Sequence, residues 1–118
     1  MSLSVFRVDR FGEILPHARH ELLERIERSH HFLRAQPGFV RDFVLEQSTS
    51  DTTSAILTFV QWENDAAVTH ASAAIRAYYE SLDFDPRTFL QQLGIAADFG
   101  VYRGLDVTER AGELADRR

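Results

Sequence analysis

The chain has 118 residues, of which 26% are charged, with a net charge of −5 at neutral pH and no cysteine. That length suits a single domain, and the lack of cysteine excludes disulfides, thiolate metal sites, iron–sulfur clusters and cysteine nucleophiles. Because the acidic balance repels phosphate backbones and no stretch approaches about 18 continuous apolar residues, the sequence predicts a cytoplasmic protein with no nucleic-acid or membrane partner.

A strand is predicted at the start of the chain, over residues 4–11. Its side chains alternate between two faces, with Phe6 and Val8 on one and Val5, Arg7 and Asp9 on the other. This pattern is typical of a half-buried strand. We expect Gly12 to end it.

A helix is predicted over residues 15–36, with Pro16 in its first turn, where a missing N–H costs nothing. Its apolar stripe recurs at helical spacing: Leu15, Ala18, Leu22, Ile26, Ser29 and Leu33. The same helix carries four histidines: His17, His20, His30 and His31. By helical angle His17, His20 and His31 lie on the polar side, and only His30 borders the apolar stripe. We therefore interpret the histidine side as solvated and predict no metal site.

Two apolar strands are predicted over residues 39–47 and 55–62, joined as a hairpin by a polar run of turn-forming residues. The second strand has two faces: Ala55, Leu57, Phe59 and Gln61 on one, and Ile56, Thr58, Val60 and Trp62 on the other. Neither face is adapted to water, although an antiparallel sheet usually has one solvated face. We therefore expect a second copy of the chain to cover the open face. Arg41 and Asp42 point to opposite faces of the first strand, and each fits either an interface ion pair or a pocket wall.

The second half of the chain predicts a helix, a short helical piece and a last strand. Asn64 is a good N-cap for a helix that runs to about residue 82. Residues 87–93 form the short piece, and 95–103 contain the strand. The apolar arc of the longer helix consists of Ala67, Ala71, Ala74, Ile75, Tyr78 and Leu82.

This order of elements predicts an α+β protein with the ferredoxin-like βαββαβ arrangement, in which a four-stranded antiparallel sheet carries both helices on one face. Residues 1–104 are predicted to form that domain, and residues 105–118 a C-terminal tail. Two such sheets packed face to face would make a dimeric α+β barrel.

Two short motifs carry a family resemblance. Pro37-Gly38 precedes the second strand, and the run TFVQWEN over residues 58–64 leads into the second helix. In these features, and over about residues 4–103, the chain resembles the antibiotic biosynthesis monooxygenase family of small dimeric α+β barrels. The resemblance implies a homodimer. The same fold hosts cofactor-free oxygenases of polyketide aromatics, quinol oxygenases, haem-degrading enzymes and proteins of no known activity.

The resemblance places a substrate pocket near the end of the third strand, and five residues are predicted to form it. Trp62 and His70 are the predicted catalytic residues, and Tyr78, Phe43 and Phe59 the predicted substrate-binding residues. Each also has a purely structural interpretation. Trp62 can pack the corner between strand and helix, His70 can be a partly exposed helix residue, and Tyr78 can belong to the core.

The leading functional hypothesis is a cofactor-independent monooxygenase acting on a small aromatic, quinol-like or polyketide-type compound, without metal or cofactor. A non-enzymatic dimer that binds a small apolar or aromatic molecule, or an accessory protein, is the alternative. A haem-binding or haem-degrading enzyme is disfavoured. Haem-degrading members of the family carry an Asn on the first strand, whereas the single Asn here is Asn64, and His70 is too close to Trp62.

Overall fold

The computed structural model describes residues 4–105 of the chain. Within that part the elements are β1 (Val5–Ile14), α1 (Pro16–Arg34), β2 (Phe39–Ser48), β3 (Ser54–Trp62), α2 (Asp65–Ser81), α3 (Pro86–Leu93) and β4 (Ala96–Arg103). Each of the predicted strands and helices is present, with ends shifted by a few residues. The predicted tail lies outside the described residues apart from Leu105.

The four strands form one antiparallel sheet in the order β2-β3-β1-β4. This is the ferredoxin-like arrangement, and the predicted α+β fold class is confirmed. All three helices pack on one face, because the core residues that they cover on β1 and β3 share the same side of the sheet. No helix in the described part of the chain is both long and apolar enough to cross a membrane.

The prediction that Gly12 ends the first strand is wrong. Gly12 pairs with Ala96 of β4, and the strand runs on to Ile14. A shift of register between Phe11 and Ile14, with Glu13 at a φ of +55°, forms a bulge. Such a bulge re-aims a side chain without ending the pairing, and here it turns Ile14 into the core, where it is almost fully buried.

The helix-covered face holds two separate clusters of buried apolar side chains. The first lies under α1 and consists of Phe11, Ile14, Ala18, Leu22, Ile26, Ile56 and Ile95. The second lies under α2 and consists of Val60, Trp62, Ala67 and Ala71. Leu15, predicted to belong to the α1 stripe, is instead exposed, because it occupies the N-cap position just before the helix.

Helix α2 is rotated relative to the predicted arc. Asn64 caps it as predicted, its side chain accepting a hydrogen bond from the Ala67 N–H. Tyr78 does not enter the core under the sheet, because its ring stacks on Phe32 of α1 at 4.5 Å between centroids. Tyr79 faces the sheet instead, and Leu82, at the end of the predicted arc, is exposed.

The face without helices is apolar, as the sequence indicates. It combines Phe6 and Val8 of β1 with Phe43 and Leu45 of β2, Leu57 and Phe59 of β3, and Tyr102 of β4. Phe43, Leu45 and Tyr102 are 48%, 54% and 58% exposed. We call these seven residues the open face.

Gly38 allows the connection between α1 and β2 to touch the first turn of α2. Its φ is +84°, and a Cβ added there would overlap the Cβ of Ala67. The Gly38 carbonyl also accepts a hydrogen bond from the Glu63 N–H at 2.9 Å. Gly94, with a φ of +69°, offers a comparison, since an added Cβ would meet no atom within 4 Å.

Gly38→Ala should therefore lower the free energy of unfolding more than Gly94→Ala. Left-handed backbone strain costs each variant roughly 1–2 kcal/mol, and overpacking against Ala67 adds about 1–3 kcal/mol at position 38 alone. Urea unfolding of both variants measures the difference. Equal losses would contradict the close contact, whereas partial recovery in Gly38→Ala/Ala67→Gly would support it.

Candidate functional site

A cavity of about 300 Å³ lies between the sheet and the helices and is bordered by both core clusters. Aromatic rings supply much of its wall: Phe11, Trp62, Phe84, Phe89 and Phe99. A concave, mainly apolar space of this size is typical of a small-molecule site. Its specificity must then come from the few polar groups that reach it.

The polar groups on the wall come from four elements, and most of them form pairs. They are Arg7 and Asp9 of β1, Arg25, Ser29 and His30 of α1, Thr58 of β3, and Ser72 and Tyr79 of α2. The prediction did not include these residues in the site. Arg7 and Asp9 nevertheless share the parity of Val5 and Phe11 along β1, which was the sequence signal that they face the helices.

Arg7 and Asp9 form an ion pair on the floor of the cavity. Arg7 Nε donates to Asp9 Oδ1 at 2.7 Å, and the Arg7 guanidinium also lies over the ring of Phe99 at 5.2 Å. Burial raises the pKa of Asp9 above its usual value, although the charge and hydrogen bond of Arg7 act in the opposite direction. The floor therefore carries a fixed cation beside a carboxyl group of increased basicity.

His30, which the sequence places at the border of the apolar stripe, is buried, so the interpretation of the histidine side as solvated does not extend to it. Its Nδ1 lies 2.9 Å from Asp42 Oδ2, and the side chains of His30 and Asp42 are only 6% and 15% exposed. The same Asp42 oxygen accepts a hydrogen bond from Arg34 Nε at 3.0 Å. Asp42 thus lies on the helix-covered face, whereas Arg41 lies on the other side and donates to Gln61.

The second ring nitrogen of His30, Nε2, is not held by Asp42. Among residues 4–105 it has no hydrogen-bond partner. Every fully buried side-chain nitrogen or oxygen in this part of the chain is paired, so Nε2 is not fully buried. His30 is itself part of the cavity wall, whereas Asp42 is not.

A third pair lies on the roof. The hydroxyl groups of Ser29 and Tyr79 are 2.6 Å apart. Burial raises the pKa of Tyr79, so its phenol stays protonated and can act as a hydrogen-bond donor. The hydroxyl of Thr58, on the central strand β3, adds a further polar group to a buried part of the wall.

Of the five predicted site residues, the structure brings Trp62 into the cavity wall, where its ring packs edge-on against Phe39. His70 is exposed on α2 and does not line the cavity, because α2 turns Ala71 and Ser72 toward the sheet instead. Tyr78 is also outside the cavity wall, because its ring stacks on Phe32 of α1.

Phe43 and Phe59 lie on the opposite side of the sheet from the cavity. They are paired across β2 and β3, and Phe59 alternates with the cavity residues Thr58 and Val60. The sheet itself therefore separates both phenylalanines from the cavity of their own chain.

An open groove of about 800 Å³ adjoins the cavity. The side chains that line both spaces include Tyr79, Phe84, Leu90 and Phe99, so the boundary is made by α2, α3 and β4. Arg76 and Arg87 flank the groove on its outer side. The groove and the cavity are therefore adjacent along these elements.

Comparison with known proteins establishes the fold. No family model matches the sequence, and no curated protein matches it. Many solved structures resemble it in shape, and three of them illustrate the likeness. A cofactor-independent oxygenase from Streptomyces nogalater, SnoaB, is 22% identical, with 89% of this chain and 96% of that chain covered and a TM-score of 0.61. A candidate antibiotic biosynthesis monooxygenase from Nitrosomonas europaea is 13% identical, with 90% and 95% covered and a TM-score of 0.63.

The third is a dimeric ferredoxin-like protein from an uncultured marine organism, 15% identical, with 89% and 96% covered and a TM-score of 0.57. At these identities the likeness concerns the fold. Structures of the antibiotic biosynthesis monooxygenase type are thus among those that share it, in agreement with the resemblance found in the sequence.

Replacing the cavity carboxylate should change how stability depends on pH. Because the pKa of Asp9 is raised above 3.8 in the folded chain, the folded state binds more protons than the unfolded state between these two values. The wild-type free energy of unfolding should therefore fall, relative to Asp9→Asn, as the pH rises through that interval.

Urea unfolding of both proteins between about pH 4 and about pH 7 gives this difference. Asp51→Asn, which removes an exposed carboxylate in the hairpin turn, is the surface control. Parallel curves for wild type and Asp9→Asn would contradict a buried carboxyl group at position 9.

Proposed function

We propose that the protein is a cofactor-independent monooxygenase that oxidises a small aromatic, quinol-like or polyketide-type compound. The observation that carries the proposal is a buried histidine in the wall of a mainly apolar cavity that also holds the Arg7–Asp9 pair. Asp42 holds Nδ1 of His30, and Nε2 has no partner among residues 4–105. Such a cavity holds an electron-rich substrate away from water, and a neutral imidazole can accept a proton near neutral pH.

The reaction begins when His30 Nε2 removes an acidic proton from the substrate. The carbanion or phenolate that results transfers electrons to O₂, and a C–O bond forms to give a peroxide, which takes a proton to become the hydroperoxide. Loss of water from the hydroperoxide leaves a carbonyl group. A CH₂ group and O₂ thus give C=O and H₂O, and all the electrons come from the substrate.

The remaining polar groups suit the charges that form along this path. The Arg7 guanidinium, held by Asp9, stabilises the substrate anion and the peroxide. The protonated hydroxyl of Tyr79 can donate to a substrate oxygen from the roof. Trp62 supplies an aromatic wall and helps to exclude water.

Replacement of His30 tests the proposal. In His30→Gln, turnover should fall about 10²- to 10⁴-fold because the proton acceptor is lost, whereas His31→Gln, at the exposed neighbouring position, should stay within about twofold of wild type. Oxygen consumption is measured with a panel of anthrones and hydroquinones, and labelled O₂ shows whether one oxygen atom enters the product.

His70→Ala and Trp62→Phe complete the series. Because His70 is exposed outside the cavity, we expect wild-type turnover from His70→Ala, and an intermediate loss from Trp62→Phe. Absence of turnover across the panel, or undiminished turnover in His30→Gln, would refute the proposed role.

We also propose that the chain forms a homodimer through the open face. Three of its large apolar side chains, Phe43, Leu45 and Tyr102, are exposed in the single chain. Burial of such a patch stabilises association. A protein that shares the fold is itself described as dimeric. The second copy would cover Phe43 and Phe59, which gives these two residues a place in assembly.

Phe43→Asp should convert the dimer to a monomer, because a charge within the apolar interface would have to be desolvated without a partner. Thr69→Asp on the exposed surface of α2 adds the same charge elsewhere and should remain dimeric. Sedimentation velocity distinguishes the two states. A wild-type monomer at micromolar concentration, or a dimeric Phe43→Asp, would contradict this interface.

The alternative of a ligand-binding protein without catalysis is favoured by one observation. Arg7 with Asp9 and Ser29 with Tyr79 already satisfy one another, as groups in a rigid binding site do. Native mass spectrometry of protein from its own host would reveal a retained compound. The haem-binding alternative gains no support, since His70 is exposed outside the cavity.

A further inference from the structure

One carboxylate oxygen connects the cavity to the exposed end of α1. Oδ2 of Asp42 lies 2.9 Å from His30 Nδ1 and 3.0 Å from Arg34 Nε. Arg34 in turn lies 3.3 Å from Glu27 at its Nη1. Three side chains from α1 and one from β2 thus form a chain of contacts whose inner end is the imidazole in the cavity wall.

The carboxylate decides which ring nitrogen of His30 carries the proton. An ionised carboxylate can only accept hydrogen bonds, so at 2.9 Å from it the Nδ1 atom must be the donor. In the neutral ring Nε2 is then unprotonated, which is the form that can accept a proton from a molecule in the cavity. Without an acceptor at Nδ1, nothing in the chain of contacts would favour this tautomer.

Arg34 fixes the orientation of the carboxylate. Its Nε donates to the same Asp42 oxygen that lies beside His30 Nδ1. Because a hydrogen bond between charged groups is stronger than one between neutral groups, Arg34 restrains the Asp42 side chain in the position where it faces the ring.

We propose that Asp42 and Arg34 are positioning residues, which hold His30 as the Nδ1–H tautomer with Nε2 free toward the cavity. The tautomer follows from geometry alone, whereas its catalytic consequence rests on the proposed function. The other charged or titratable groups around His30 are Asp9 and Arg7 of β1, Glu27 and Arg25 of α1, and Tyr79 of α2.

The tautomer is measured by long-range ¹H–¹⁵N NMR on the full chain, with no substrate needed. Wild type should show a protonated Nδ1 at His30. Asp42→Asn should keep this tautomer, because the amide oxygen can accept from both donors. Asp42→Ala removes the acceptor and should shift the ring toward the Nε2–H form. His31 and His70, both exposed, provide internal comparison signals.

Turnover measures what the tautomer of His30 contributes to catalysis. Asp42→Ala should lower kcat at least about tenfold with KM little changed. Arg34→Met should keep the tautomer, because the carboxylate acceptor remains, and should lower kcat less than Asp42→Ala does. Arg34→Lys, which keeps a charged donor at this position, should recover part of that loss.

Two results would overturn the inference: an Nε2–H tautomer at His30 in wild type, or an unchanged tautomer in Asp42→Ala. The wild-type spectrum decides the first even if Asp42→Ala fails to fold. If wild type shows the Nδ1–H tautomer but oxidises no compound of the panel, the proposed function fails and this inference stands.

Discussion

The two-residue period of the central strands β1 and β3 determines how the rest of the molecule is arranged. Because these strands pair along nearly their whole length, each side chain is assigned to one face by its parity. One parity places Arg7 and Asp9 under the helices between two apolar clusters. The other parity leaves Val8 and Phe59 on the open face. The cavity and the proposed dimer interface therefore use alternate residues of the same two strands.

Much of the fold could be predicted from the sequence because periodicity is a local property. The stripe of α1 and the hairpin of β2 and β3 are visible in short windows, and the structure has them. The errors have non-local causes. The strand passes Gly12 because β4, more than 80 residues later, pairs with it. The bulge that follows is a shift in the pairing with another distant strand, β3.

The candidate site was less accessible to sequence reasoning, since each of its polar groups depends on a partner from another element. His30 borders the apolar stripe, but only Asp42 across the α1–β2 connection makes it a buried residue with a fixed orientation. Tyr79, and not Tyr78, lies in the cavity wall, because the ring of Tyr78 stacks on Phe32 of α1. Trp62 could be predicted as a wall residue because its position at the end of a strand is visible in a short stretch of sequence.

The boundary between the cavity and the groove has a consequence for how such a molecule could diversify. Leu90 of α3 and Phe84 just before it face both spaces, and within α3 no residue is fully buried. The groups that could take part in chemistry are instead anchored to the sheet and to the two long helices, α1 and α2. The dimensions of the space and the chemistry within it are therefore encoded in different parts of the chain, so that α3 could change the size of an accepted molecule while the polar groups keep their positions.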